Sequence, residues 1–254
     1  MILQDKNGFV LPELQLSSLP TGAVKALVNT LGQRIANGQY AIGKNMPMEP
    51  ELVAEHGVSR TVVREAIKVL SGKGLVRTAR RYGTHVCDID EWNLLDPDVI
   101  GWHAPDSPMA QRIFIDATQF RLVIEPQAAA LAAANSTQIQ RELLRMSSAA
   151  LEDESATEED NLAADFAFHA TVLDASNSLI LKQFCGFLNA ILKFSYSTGA
   201  ITIESPLVEP RAHTKVAVAI ADGNAELAEQ YMRRMLAINV EIANSLNNTE
   251  EVAV

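Results

Sequence analysis

The stretch LVAEHGVSRTVVREAIKVLSGKGLVRTARRYGTHV, residues 52–86, packs many arginines into an acidic chain. The whole chain of 254 residues has a formal net charge of −10. Residues 23–86 nevertheless hold ten Lys/Arg and four Asp/Glu, a balance of +6, whereas residues 87–254 hold ten and 25, a balance of −15. A basic block on an acidic body indicates that the block meets a polyanion. A solvated, charged helix face is the alternative that charge alone leaves open.

The apolar spacing around this stretch predicts a winged helix-turn-helix. Residues 23–40 carry one helical stripe, and residues 41–47 form a turn. After a short helix, Ser59 caps a further helix over residues 60–74. Residues 75–86 then alternate as a two-stranded ribbon. A fold of this order lays the second helix of its turn motif in the major groove of DNA.

Arginines fall at the two places where such a fold touches DNA. Arg60 begins the reading helix beside Thr61, and Arg64 follows one turn later on the same face. A guanidinium binds guanine edges or phosphates bidentately, which suits both the helix and the wing tip. The predicted DNA contacts are Arg60, Thr61, Arg64, Arg80, Arg81, Gly83 and Thr84.

Several protein classes are disfavoured by composition. The N-terminus has no basic start followed by an apolar run, and no apolar stretch is long enough to cross a bilayer. Two cysteines, Cys87 and Cys185, are too few for a disulfide framework, which favours the reducing cytoplasm. The sequence also shows no Gly-rich phosphate loop and no Ser/His/Asp arrangement of recognisable spacing.

From about residue 107 the sequence predicts an all-α bundle. Strand signals are nearly absent, and residues 178–199 are expected to form one mostly apolar helix. Bundles of this kind often place a small-molecule site in a cavity between helices.

The bundle carries a candidate metal and effector site. Asp165 and His169 stand four residues apart on one helix face, and His213 opens a later helix. Three such ligands on facing helices suit a divalent metal with open positions, although an ion pair or a core contact is the structural alternative. Arg121 lies in an apolar stretch one turn before Glu125. It is either half of an intrahelical ion pair or a fork for the carboxylate of an effector.

The motif GVSRTVVREAIKVLSGKGLV followed by YGTHV resembles the GntR family of bacterial transcription regulators. One departure is Pro50, which stands where the family commonly has an arginine, so the resemblance implies one DNA contact fewer. The segments FRLVIEPQAAALAA, ADFAFHATVLDASNSLI and PRAHTKVAVAIADGNAELAEQYM resemble the FCD domain, the ligand-binding domain of the FadR-type branch.

This resemblance implies roles for the bundle residues. Many members hold a metal with one Asp and three His, and the third His position is Met235 here. A thioether is a poor ligand for a hard metal, so the implied site for Zn or a similar ion is incomplete unless effector and water supply the rest. The implied effector contacts are Arg121, Asp165, His169 and His213. The connector EWNLLDPDVIGW is similar to that of sugar-acid regulators, D-galactonate-type repressors among them, so an aldonate or hexuronate is the expected effector.

The predicted organisation is an N-terminal arm (1–20), a winged helix-turn-helix (21–88), a connector (89–106) and an all-helical effector-binding and dimerisation domain (107–248). Trp92 and Trp102 are expected to pack the connector against the bundle. The predicted function is that of a homodimeric repressor on a palindromic operator, controlled by a small carboxylate. A metal-dependent enzyme acting on a small acid and a constitutive architectural DNA binder are the alternatives.

Overall fold

The computed structural model describes residues 19–198 and 211–248. The predicted arm therefore lies outside the described residues except for Leu19 and Pro20. The chain divides into an N-terminal unit that ends at Ala110 and a C-terminal unit that begins at Gln111. The fold is mainly α, with one two-stranded sheet among the described residues, as the sequence predicts.

The N-terminal unit has the predicted order of elements. They are α1 (Gly22–Ala36), α2 (Glu49–His56), α3 (Arg60–Gly72), β1 (Val76–Ala79), β2 (Gly83–Val86), a 3-10 turn (Ile89–Glu91) and α4 (Pro97–Gly101). Gly57 ends α2 with a φ of 63°, a left-handed conformation that glycine adopts without strain. The Ser59 side chain then accepts a hydrogen bond from the amide of Val62, which caps α3 as predicted.

The wing contains more strand pairing than the sequence indicates. β1 and β2 are antiparallel, with Val76 opposite Val86 and Ala79 opposite Gly83. Part of the predicted turn at residues 41–47 runs along the other edge of β2. There the amide of Met46 donates to the carbonyl of Thr84 at 2.8 Å, and the amide of Val86 donates to that of Lys44 at 3.0 Å. These bonds satisfy an edge that a two-strand ribbon would leave open.

The two tryptophans lie in the N-terminal core, so the expectation that they pack against the bundle is wrong. Trp92 donates its indole N–H to the Cys87 carbonyl at 3.0 Å, and Trp102 donates to the Asn29 side chain at 3.0 Å. The Trp102 ring fills the space beside Gly32, where an added Cβ would come within 2.4 Å of the ring. The connector folds back because burying two large indoles in this small unit removes much apolar surface from water.

A buried ion cluster holds the connector to the end of α3. The Lys73 ammonium lies 2.6 Å from Asp96 and 2.9 Å from Asp98, and its side chain is only 6% exposed. The backbone carbonyl of Lys73 also accepts from the amide of Asn93 at 2.9 Å. The connector is thus fixed to the end of α3 by charge as well as by packing.

The C-terminal unit is built from helices alone among its described residues. They are α5 (Pro108–Asn135), which begins just before the boundary, α6 (Gln138–Ala150), α7 (Glu158–Ala175), α8 (Leu179–Gln183), α9 (Cys185–Thr198), α10 (Ala212–Ala221) and α11 (Ala225–Asn248). The single helix predicted over residues 178–199 is two helices, with Phe184 between them. Their core includes Phe168, Leu188 and Met235.

Candidate functional site

The reading helix presents two of its three predicted contacts without competition. Arg60 and Thr61 are exposed at the start of α3. Arg64 is also exposed, but its Nε lies 2.9 Å from a Glu49 carboxylate oxygen on α2. Solvent screens an exposed pair of this kind, so Arg64 remains available to another anion.

The wing tip is a three-residue loop between β1 and β2. Arg80 and Arg81 are exposed there, and Arg81 and Gly83 have φ values of 74° and 81°. Tyr82, which the sequence analysis did not select, is 77% exposed at the same tip. Its position in the segment RRYG, residues 80–83, was the available signal for an exposed contact residue. An aromatic ring at a solvated loop tip contributes little to a core.

The wing and helix differ in what their side chains already bind. Among the described residues, Arg60, Arg80 and Arg81 have no ion-pair partner, whereas Arg77 on β1 pairs with Glu91. The Thr84 hydroxyl is 2.9 Å from that of Thr78 across the ribbon. Thr84 therefore has a structural contact in the wing, while the three arginines carry charge that nothing in the described chain neutralises.

In the C-terminal unit five charged or ionisable side chains meet in one cluster. It joins Arg121 and Glu125 on α5, Asp165 and His169 on α7, and His213 on α10. We call this set the buried cluster. Arg121, Glu125 and His169 are each at most 2% exposed, so all three are withdrawn from water.

Glu125 links the other two fully buried members. One of its oxygens accepts from Arg121 Nε at 2.5 Å, and the other accepts from His169 Nδ1 at 2.5 Å. A second guanidinium nitrogen, Nη2, is 3.2 Å from His169 Nε2. Because a guanidinium only donates, the neutral imidazole that fits this contact carries its proton on Nδ1 and its lone pair on Nε2.

The contacts of Arg121 are compatible with both of its predicted roles, the ion pair and the effector contact. It forms the intrahelical pair with Glu125, and it also faces the candidate ligand His169. Glu125 is the site residue that the sequence analysis left out. Its spacing one turn after a buried arginine was the available signal.

Asp165 lies between the two histidines. Its Oδ1 is 3.3 Å from Nε2 of His169 and 3.3 Å from Nε2 of His213. Neither approach is aligned as a hydrogen bond, so this buried oxygen has no hydrogen-bond partner among the described residues. A buried polar atom left in this condition is costly and points to a missing ligand.

The electrostatics of the cluster keep its two carboxylates ionised. Burial opposes ionisation of Glu125, but Arg121 and His169 outweigh it and lower the pKa of Glu125 to about 2. Burial also opposes ionisation of Asp165, yet the two histidines hold its pKa below the ordinary value. Burial and the positive charge of Arg121 lower the pKa of His169. The charge of Glu125 and the contact with Asp165 outweigh them, so the pKa is raised overall. Two carboxylates thus remain charged at neutral pH beside two imidazoles.

The residues present fit a divalent metal with three protein ligands. One ligand atom each from Asp165, His169 and His213 lies within 4.8 Å of the others. A carboxylate oxygen and two imidazole nitrogens suit zinc or a similar ion. The bond from His169 Nδ1 to Glu125 is the outer contact that commonly orients a metal-binding histidine. Met235, at the implied position of a third histidine, is buried in the apolar core.

Two concavities lie away from the buried cluster. A concavity of about 640 Å³ lies in the N-terminal unit beside Trp102, and one of about 370 Å³ lies beside α10 and α11. Neither is lined by a member of the buried cluster. Asp165 and His213 are the members of the buried cluster that remain partly exposed.

Tyr196 on α9 lies within electrostatic reach of the cluster. Burial and then the charge of Asp165 raise the pKa of its phenol. Lys193, in the same helix, is exposed. Tyr196 is therefore the better candidate for a neutral hydrogen-bond donor near the cluster.

Comparison with known proteins supports both units. Residues 23–86 match the bacterial regulatory proteins of the gntR family, and residues 116–237 match the FCD domain. The HTH-type transcriptional regulator YieP of Escherichia coli strain K12 is 31% identical over 213 residues, which cover 83% of this chain and 90% of YieP. The galactonate operon transcriptional repressor of the same strain is 28% identical over 215 residues, 83% of this chain and 92% of the repressor.

The fold also occurs among solved structures. That of Lar, which controls the expression of the Listeria monocytogenes agr system, has a TM-score of 0.62 at 18% identity and covers 89% of this chain and 99% of Lar. In the part of the chain that the structure describes, no helix has the length and apolar character needed to cross a bilayer. The family consists of transcription regulators rather than enzymes, which removes the metal-dependent enzyme as an alternative. The chain belongs to the GntR family of bacterial regulators and combines a DNA-binding winged helix-turn-helix with an FCD domain.

Proposed function

We propose that the chain is a repressor whose operator affinity is controlled by a small carboxylate bound at the buried cluster. The observation that carries the proposal is Arg121, a guanidinium held 2% exposed beside Asp165 and two histidines in the FCD domain. A fully desolvated arginine binds a carboxylate through a bidentate, charge-assisted pair, which is stronger than the same pair in water.

The proposed effector is a sugar acid, an aldonate or hexuronate. The name of one relative, a galactonate operon repressor, supports this class. In our proposal Asp165, His169 and His213 hold zinc or a similar divalent ion, which provides a Lewis-acidic partner for oxygen ligands. The chain's own contribution is to aim one guanidinium and two imidazoles at the same small volume.

On the DNA side, we propose that α3 reads a major groove and the wing tip contacts backbone or minor groove. Arg60, Thr61 and Arg64 are the proposed base or phosphate contacts on the helix, and Arg80 and Arg81 are those on the wing. Gly83 lets the loop turn, and Thr84 supports the ribbon. A homodimer in the cytoplasm would place two reading helices on a palindromic operator, one per half-site.

The test is thermal unfolding of the purified chain with a panel of aldonates and hexuronates, each with and without ZnCl2. A ligand that binds only the native state raises the melting temperature by mass action. We expect one acid to raise it and zinc to enlarge the shift. If no acid changes the melting temperature, effector control by a sugar acid is wrong, and a constitutive DNA binder becomes the better account.

The metal part has its own test. Metal analysis after chelator-free purification should find zinc or a similar ion in the wild type and in His85→Ala, a control in the wing. His169→Ala should lose it, because the variant removes one of three ligands. Equal metal content in His169→Ala and the wild type would show that the ion binds elsewhere.

A further inference from the structure

Two groups compete for Nε2 of His169, the proposed metal and the guanidinium of Arg121. This nitrogen faces Asp165 at 3.3 Å, so it is the atom that the proposed metal needs. The same nitrogen lies 3.2 Å from Nη2 of Arg121. An imidazole nitrogen offers one lone pair, which either accepts a hydrogen bond or binds a metal.

Charge reinforces this conflict. Arg121 is permanently cationic, and a divalent ion at His169 would lie only a few ångströms from it, between two side chains that are each 2% exposed. Like charges at such a distance repel strongly where solvent does not screen them. The guanidinium in its described position and a metal on His169 therefore oppose each other by geometry and by charge.

Glu125 fixes the position of Arg121, the group that competes with the metal for His169. It binds Arg121 through Nε and fixes His169 through Nδ1, so one carboxylate positions both partners of the Nη2 contact. The arginine can nevertheless leave His169 without losing Glu125. Nε and Nη2 are different atoms of the fork, and only the second faces the histidine.

We propose that Arg121 is a built-in competitor of the metal, and that an effector carboxylate opens the metal site by drawing Nη2 away from His169. This inference rests on the proposed function and deepens it. Effector and metal then bind cooperatively, and each strengthens the other by the same factor.

The test is calorimetric titration of the chelator-treated full chain with ZnCl2 alone, without any acid. Arg121→Met removes the competing donor and the positive charge, so it should bind zinc more tightly than the wild type. The expected gain is about tenfold to a hundredfold, the range for one hydrogen bond to a charged group. Arg112→Met is the matched control, since Arg112 lies on the same helix and is exposed. Its zinc affinity should equal that of the wild type.

Arg121→Met also leaves Glu125 without its cation, so circular dichroism must show that it folds. Arg121→Lys is the second variant for that purpose. Its single ammonium keeps the pair with Glu125 but cannot serve Glu125 and His169 through separate nitrogens, so it should give a smaller gain.

The outcomes separate this inference from the proposed function. Tighter zinc binding by both variants supports the competition. Equal or weaker binding by the variants, with zinc bound by the wild type, overturns the competition and leaves the metal site standing. If the wild type and both variants fail to bind zinc, the metal part of the proposed function is overturned together with this inference.

Discussion

The two units of the chain use charged side chains in opposite ways. In the N-terminal unit the arginines proposed to meet DNA are exposed, and Arg60, Arg80 and Arg81 have no ion-pair partner among the described residues. In the C-terminal unit the charges of the candidate site are buried against one another. An exposed positive charge can be neutralised by a polyanion when the two bind, whereas a buried charge must be neutralised by other groups of the folded chain.

The N-terminal unit also contains a buried ion cluster, and it shows that burial alone does not mark a site. Lys73 is enclosed by Asp96 and Asp98 at hydrogen-bonding distance. The buried cluster of the C-terminal unit differs in one atom, Asp165 Oδ1, which has no hydrogen-bond partner among the described residues. This leftover acceptor, which lies between two imidazoles, distinguishes the buried cluster from the ion cluster around Lys73.

The largest effect on stability is expected for the buried ion cluster around Lys73. Lys73→Met leaves two buried carboxylates without their cation and should reduce the free energy of unfolding by about 3–5 kcal/mol. Urea unfolding followed by tryptophan fluorescence measures this directly, because Trp92 and Trp102, the only tryptophans of the chain, both lie in this unit. Lys68→Met, an exposed control on the same helix, should cost about 0–1 kcal/mol. If Lys73→Met lost less than about 1 kcal/mol of its free energy of unfolding, this ion cluster would contribute no more than an exposed ion pair.

The next effect concerns the outer support of the metal site. Glu125→Gln keeps the shape of the side chain but replaces the carboxylate that accepts from His169 Nδ1. Zinc affinity should fall about 10- to 100-fold, the usual cost of losing such a contact. Glu142→Gln is an exposed control on α6 and should bind zinc like the wild type. Unchanged affinity in Glu125→Gln would reduce Glu125 to a structural partner of Arg121.

A smaller effect is expected on DNA reading. Arg60→Ala should lose about 1–3 kcal/mol of discrimination between operator variants if its fork reads a base. Because Arg60 is exposed and has no ion-pair partner in the described part of the chain, the free energy of unfolding of Arg60→Ala should stay within about 0.5 kcal/mol of the wild-type value. Competition binding with single-base operator variants measures the first quantity, and urea unfolding measures the second. Uniform weakening across all variants would make Arg60 a phosphate contact.

The smallest effect is expected at the wing. Arg80→Ala should weaken all sequences alike and reduce the slope of log affinity against log salt by about 1. Titrations at several salt concentrations measure that slope. A sequence-dependent loss in Arg80→Ala would contradict the division of work between helix and wing.

Local sequence signals predicted much of this fold. Ser59 was predicted to cap α3 and the structure confirms it, and Gly57 ends α2 just before it in a left-handed conformation. The all-α character of the C-terminal unit is confirmed for the same reason, since helical periodicity is a property of neighbouring residues.

Contacts between distant residues were harder to foresee. The pairing of residues 44–46 with β2 and the folding of Trp102 onto Gly32 join segments about 40 and 70 residues apart, and no local pattern encodes them. In the candidate site the spacing of Asp165 and His169 was readable. The link from Glu125 to His169 spans 44 residues and needed the packing of α5 on α7.

The central claim is that a small acid in the FCD domain controls DNA affinity, and operator binding tests it most directly. A duplex selected from a random library by the full chain should be titrated by fluorescence anisotropy with and without the acid that raises the melting temperature. We predict at least about a tenfold loss of affinity with the acid, a coupling of typical size for an allosteric protein. Arg121→Met should not respond. Equal DNA affinity with and without the acid in the wild type would contradict the account.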